Sequence, residues 1–126
     1  MTVSQTVLIV EDEQMLLSAL QRKLESAGLN VLTAKDGSEG LKLALENRPD
    51  LILLDIILPL MDGITFLERL RRDEWGKQVP VIVLSNLSKA STITETKEKG
   101  VKMFLVKTDW KIDDVLQKIK NELGTQ

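Results

Sequence analysis

The sequence predicts an α/β fold: a doubly wound, five-stranded parallel sheet of order 2-1-3-4-5 between two layers of helices. Three observations carry this. Strand-like and helix-like segments alternate from one end of the chain to the other, the pattern of βαβ units. The runs Val7-Leu8-Ile9-Val10, Leu51-Ile52-Leu53-Leu54, Val81-Ile82-Val83-Leu84 and Met103-Phe104-Leu105-Val106 are continuously apolar. Alternation disappears in this way when both faces of a parallel sheet are covered. Short right-handed crossovers then favour the order 2-1-3-4-5.

The elements follow in sequence. The first strand spans about Thr6 to Val10. Met15, Leu16, Ala19, Leu20, Leu24 and Ala27 keep helical spacing up to Gly28, a natural stop. Leu29 to Ala34 reads as a shorter second strand. Asp36, with Glu39 three residues on, suits a cap for a helix carrying Leu41, Ala44 and Leu45, which must end before Pro49. Leu51 to Asp55 is the third strand, and Asp62 caps a helix holding Ile64, Phe66, Leu67 and Leu70. Val79 to Leu84 is the fourth strand, with Pro80 near its entrance, where a missing N–H matters least. Between Ser88 and Lys99 lies a helix with the interior Ser91-Thr92-Ile93-Thr94-Glu95-Thr96, rich in weak helix formers. Its apolar stripe is little more than Ala90 and Ile93, so it is expected to be the loosest helix. Lys102 to Val106 is the fifth strand. The last helix carries Ile112, Val115, Leu116, Ile119 and Leu123 on one stripe and ends at Gly124.

Composition narrows the function classes. With 126 residues, residues 1–126 read as one domain, long enough for a three-layer core. Only 3% of residues are aromatic, so the core must be Leu, Ile, Val and Ala. A net charge of −2 gives no basic footprint for nucleic acid. No apolar stretch reaches the ~18 residues of a membrane span and no signal-peptide pattern opens the chain, so it reads as cytoplasmic. Cysteine and histidine are both absent, which removes thiolate chemistry, the commonest general base and any internal phosphohistidine.

Ligand chemistry in open α/β sheets sits beyond the carboxyl ends of the strands. There the first strand runs into Glu11-Asp12, the third ends at Asp55, the fourth reaches Ser85 and the fifth reaches Lys107. Taken singly, each has a bland reading. Glu11-Asp12 suits the start of a helix, Ser85 suits a turn, and Lys107 suits a solvated charge or an ion-pair partner of Asp55. Asp55 is harder to dismiss, because a carboxylate ending a buried strand is costly unless something offsets it. Together the residues describe a site for a divalent cation and a phosphoryl group. Carboxylates suit a hard cation such as Mg²⁺, Asp55 suits a nucleophile, and Ser85 and Lys107 suit charge on transferring oxygens.

Val10-Glu11-Asp12-Glu13, then Asp55-Ile56-Ile57-Leu58-Pro59-Leu60-Met61-Asp62-Gly63, then Ser85 and Lys107, resemble the receiver domain of bacterial two-component response regulators, as in the single-domain chemotaxis type. The resemblance covers essentially the whole chain. It implies that Asp55 accepts phosphate from a partner's phosphohistidine, with Mg²⁺ held by Glu11, Asp12, Asp55 and the backbone carbonyl of Ile57. It implies that Ser85 and Lys107 contact the phosphoryl group and that Phe104 stands where the family has a switch aromatic. The implied partners are a sensor histidine kinase or histidine phosphotransfer protein and a downstream effector. A phosphorylation-dependent homodimer through the fourth helix, fifth strand and fifth helix is a further implied assembly. No enzyme activity is implied beyond self-phosphorylation and autodephosphorylation. On activation, Ser85 is expected to move toward the phosphoryl oxygens, drawing the weak helix and Phe104 with it. Ile57 and Leu87 are expected to place apolar cover near the in-line path of water.

Departures from the family pattern stand at three places. Asn86 follows Ser85 in place of a small residue and Thr108 replaces the proline after the lysine; no effector domain is expected after the last helix. Because cis-threonine costs roughly 2.5–4 kcal/mol, a trans Lys107-Thr108 bond is expected, with Asp109 capping the final helix or Trp110 pinning the loop. Competing readings are weaker. A flavodoxin-type cofactor module shares the sheet order but needs a phosphate-cradling loop where Glu11-Asp12-Glu13 stands. An aspartate-nucleophile phosphatase carries a second acid where Ile57 stands. A degenerate receiver serving only as a protein-binding module conflicts with a full set of acceptor residues.

Overall fold

The computed structural model describes residues 4–124. Five parallel strands form one sheet in the order β2-β1-β3-β4-β5. They are β1 (Thr6–Val10), β2 (Asn30–Ala34), β3 (Leu51–Leu54), β4 (Val81–Ser85) and β5 (Met103–Val106). The helices are α1 (Gln14–Ser26), α2 (Gly37–Asn47), α3 (Gly63–Arg72), α4 (Ala90–Glu98) and α5 (Ile112–Leu123), with a 3₁₀ turn at Lys107–Asp109. The expected fold class and strand order are what the structure shows.

Strand side chains alternate between two apolar layers, and this divides the helices. Val7, Ile9, Leu51, Leu53, Ile82, Leu84 and Leu105 pack with α1 through Leu17, Leu20 and Leu24, and with α5 through Val115 and Ile119. Leu8, Val10, Ile52, Leu54, Val81 and Val83 face the other way, onto Ala44 of α2 and Phe66, Leu67 and Leu70 of α3. Val7–Val10 of β1, all of β3 and Val81–Leu84 of β4 are therefore continuously apolar because both faces are covered. Val10 pairs with Leu54, Leu54 with Val83, and Ser85 with Val106. The four central and edge strands thus end nearly level, which sets Glu11, Asp55, Ser85 and Lys107 side by side.

Caps read from sequence hold at two helices. Asp36 accepts a hydrogen bond from Glu39 N at 2.7 Å, and Asp62 from Thr65 N at 2.9 Å. Gly124 ends α5 in the left-handed conformation. Boundaries differ by a residue or two elsewhere. β4 begins at Val81, because Pro80 lacks an N–H, while its carbonyl accepts from Ile52 N at 3.0 Å. α4 begins at Ala90, not Ser88; Lys89 precedes it, and its side chain makes no capping bond. Ala90 is exposed, so the expected two-residue stripe fails. Thr96 is the buried residue of α4, and its hydroxyl is satisfied by Ile93 O at 2.8 Å. Asp109 lies in the 3₁₀ turn and does not cap α5, whose N-cap is Lys111 without a side-chain bond.

The loop from β3 to α3 is pressed against the rest of the domain. A Cβ on Gly63 would stand 2.6 Å from Ile56 Cα and 2.7 Å from the Asp55 carbonyl oxygen, both backbone atoms that cannot swing aside. Gly63→Ala should therefore lower unfolding stability by about 1–3 kcal/mol through overpacking. Ser38→Ala, on the exposed face of α2, should change it by less than about 0.5 kcal/mol. Urea denaturation monitored by circular dichroism checks the pair; equal, small effects would show that the loop gives way freely.

Candidate phosphoacceptor site

Asp55 follows β3 and is only 5% exposed. Its two oxygens are held differently. Oδ1 accepts from the Ser85 hydroxyl at 2.6 Å and from Ile57 N at 3.1 Å, and Oδ2 accepts from Lys107 Nζ at 2.7 Å. Ser85 is fully buried, and its oxygen in turn accepts from Leu87 N at 3.3 Å. This pins the start of the β4–α4 connection to the carboxylate.

Lys107 Nζ lies among acids from two other segments. It is 2.9 Å from Glu11 Oε1 and 3.6 Å from Glu13 Oε2, besides Asp55. Burial alone would lower the lysine pKa, but the hydrogen bonds to Asp55 and Glu11, with the charges behind them, outweigh it and push the value up. Glu11 is 2% exposed, and desolvation raises its pKa against the opposing pulls of Glu13 N and Lys107. Its second oxygen accepts from Glu13 N at 2.9 Å. Among the described residues no buried side-chain polar atom lacks a hydrogen-bond partner.

Each expected site residue has a definite place. One carboxylate oxygen each from Glu11, Asp12 and Asp55 lie within 4.8 Å of one another, and Asp12 is the exposed member. This donor set fits a hard cation that keeps part of its water shell: two acids are anchored, and the third opens to solvent. The Ile57 side chain is 57% exposed, and together with Leu87, Ile56, Leu58 and Ile64 it lines an open cleft of about 400 Å³. Asn86 is exposed. Phe104 on β5 is half-buried and, with Ile93, Thr96 and Met103, lines a cavity of about 270 Å³ under α4.

No peptide bond among the described residues is cis, so Lys107-Thr108 is trans, and Lys107–Asp109 form a 3₁₀ turn. Trp110 packs half-buried against the α1–α5 layer, and Lys118 Nζ stands 5.3 Å from its ring centre. Glu13 was not anticipated as a member of the site. Its signal was present as the third acid of Glu11-Asp12-Glu13, but a run of acids before a helix does not say that the exposed third one also approaches Lys107.

Comparison with known proteins agrees with this geometry. The family described as Response regulator receiver domain matches residues 7–120. The transcriptional regulatory protein PrrA of Mycobacterium tuberculosis is 42% identical over 104 residues, 82% of this chain and 44% of PrrA. The chain thus spans less than half the length of the curated relatives of this kind. Among solved structures, the chemotaxis protein CheY4 of Vibrio cholerae superposes with a TM-score of 0.86 at 28% identity, covering 94% of this chain and 98% of that one. The receiver domain of sensor histidine kinase PA1611 from Pseudomonas aeruginosa, described with a magnesium ion coordinated in its active-site cleft, gives 0.86 at 27% identity, covering 98% and 100%. The chain belongs to the response regulator receiver domain family, the phosphorylation-activated switches of two-component signalling.

Proposed function

We propose that Asp55 is the phosphoacceptor of this receiver, that Glu11, Asp12, Asp55 and the Ile57 carbonyl hold Mg²⁺, and that Ser85 and Lys107 receive the phosphoryl oxygens. The observation that carries this is the buried Asp55 carboxylate held by one hydroxyl and one ammonium. These are the two donors a transferred phosphoryl group requires. The acidic group at Glu11, Asp12 and Asp55 supports the metal assignment, as does the magnesium described for the Pseudomonas receiver. When bound, the cation supplies neutralising charge to the transferring oxygens.

In the transfer, an Asp55 oxygen attacks phosphorus. The P–N bond of the donor phosphohistidine breaks, and its electron pair stays with the imidazole. Ser85 and Lys107 then exchange Asp55 for phosphoryl oxygens. Ser85 already touches Asp55 at 2.6 Å, so its response is an exchange of partner rather than a long inward movement. That exchange strains the link to Leu87 N and, through it, the approach to α4. Phe104, at the cavity under α4, is the aromatic whose packing changes with that helix. The donor in this reading is a sensor histidine kinase or histidine phosphotransfer protein, and the recipient of the signal is an effector protein or a second copy of the chain.

Two predictions follow from the site. Beryllofluoride, a phosphoryl mimic, should form one adduct per chain only with Mg²⁺ and not on Asp55→Asn, as read by fluorine NMR. A full-yield adduct on that variant would remove Asp55 from the role. In the same protein, replacing Ile57 and Leu87 by polar residues should speed decay of the true phosphoryl adduct by opening the apolar side of the cleft to water. An unchanged decay rate would show that access is not limiting.

A third prediction concerns pH. The Lys107 pKa is raised on folding, so its stabilisation is fully present below the ordinary lysine value of 10.5 and is lost as pH rises beyond it. The Glu11 value is also raised, so its contribution to the folded state is fully present below its ordinary 4.5 and is lost as pH rises through the raised value. The stability advantage of the natural chain over Lys107→Met should therefore grow as Glu11 ionises and then stay level through neutral pH. It should shrink above about pH 10.5. Denaturation midpoints across pH test this; an advantage that is flat from acid to alkali would show that Lys107 acts by packing alone.

A further inference from the structure

Arg71, in the last turn of α3, uses its guanidinium on backbone alone. Nη1 donates to Gly76 O and Val79 O, both at 2.7 Å, Nε to Lys99 O at 2.8 Å, and Nη2 to Gly100 O at 3.3 Å. None of the ion pairs among the described residues involves it. Burial draws its pKa down, yet a guanidinium stays charged in any protein environment. Two of the acceptors belong to the connection before β4, and two to the residues that close α4. A planar fork satisfies all four at once, which a lysine ammonium cannot do with the same rigidity. A cation at the C-terminal end of α4 is also favoured by the helix dipole.

The other end of α4 has no such hold. Lys89 offers no side-chain cap, and Ser88, Lys89, Ala90 and Ser91 are exposed. That free end connects back through Leu87 to the Ser85 hydroxyl and Asp55. One end of the helix is held by the Arg71 guanidinium, whereas the other has no side-chain cap and leads back through Leu87 to the site.

We infer that Arg71 is a positioning residue that clamps the C-terminal end of α4, so that changes at the Asp55–Ser85 pair swing the N-terminal end of the helix about it. The clamp stands independently of the reaction; the swing rests on the phosphoacceptor reading above.

The test has two arms. By hydrogen exchange without any activator, the amides of Lys99, Gly100 and Val101 should exchange more slowly than those of Ile93 and Thr94. Arg71→Gln should speed the first group by about tenfold or more and leave Ile82 and Val83 of β4 unchanged. Should Arg71→Gln unfold the sheet as a whole, Arg71→Lys, which keeps the charge but loses the fork, decides the point by the same amides. Unchanged protection at Lys99 to Val101 in a folded variant would overturn the clamp. The second arm exploits the absence of cysteine. Spin labels on E46C with either K89C or E98C report distances from α2 to each end of α4. With beryllofluoride loaded and verified by fluorine NMR, the first distance should change and the second stay fixed, and both should change in Arg71→Lys. An equal change at both ends in the natural background would overturn the swing. A site that fails to load counts against the phosphoacceptor reading, and the exchange arm then still decides the clamp.

Discussion

The charge on Asp55 is the constraint around which the domain is arranged. A carboxylate 5% exposed at the end of a core strand is tolerable only with its oxygens satisfied. Ser85 and Ile57 N take one oxygen, and Lys107 takes the other. Lys107 in turn faces Glu11 and Glu13, so a single ammonium offsets several acids. Removing one member of a buried ion pair typically destabilises by about 3–5 kcal/mol, because the other charge remains. The same arrangement leaves an excess of negative charge that a cation relieves. A site of this kind is poised: a new group on Asp55 must displace hydrogen bonds that hold three different strand ends.

The fold makes this possible by levelling the strands. Register carries Val10, Leu54 and Val83 to the same height, with Ser85 opposite Val106 two residues beyond. Around this rim the packing is uneven. The β3–α3 loop is wedged by close backbone approach at Gly63, whereas α4 buries one residue and begins uncapped. α4 and the cavity beside Phe104 are therefore the parts of this rim least constrained by packing, and in the proposed reading they take up rearrangement at the carboxylate. Arg71 sets where along α4 that yielding stops.

Much of this was legible in the residues. Unbroken apolar runs gave the buried strands because burial on both faces erases alternation, and Asp36 and Asp62 announced helix starts by capping chemistry. The joint placement of Glu11, Asp12, Asp55, Ser85 and Lys107 pointed to one cluster, and the structure brings these side chains together because parallel strands align such ends. What stayed hidden depends on tertiary geometry. Arg71 binds carbonyls, which every residue possesses, so no partner pattern marks it. Glu13 is one of three adjacent acids, and only the fold decides which of them face Lys107. Asp109 looked like a cap for α5 because capping is read locally, whereas the 3₁₀ turn after Lys107 moves the helix start beyond its reach.

The most direct measurement is chemical mapping of the phosphorylated side chain. Phosphorylation by a small acyl phosphate with Mg²⁺, followed by borohydride, reduces an acyl phosphate while sparing free carboxylates, and peptide mass spectrometry locates the reduced residue. The account predicts reduction at Asp55 alone, dependent on Mg²⁺. Reduction at Asp12 or Glu13, or at Asp55 with equal yield when the metal is chelated, would contradict it.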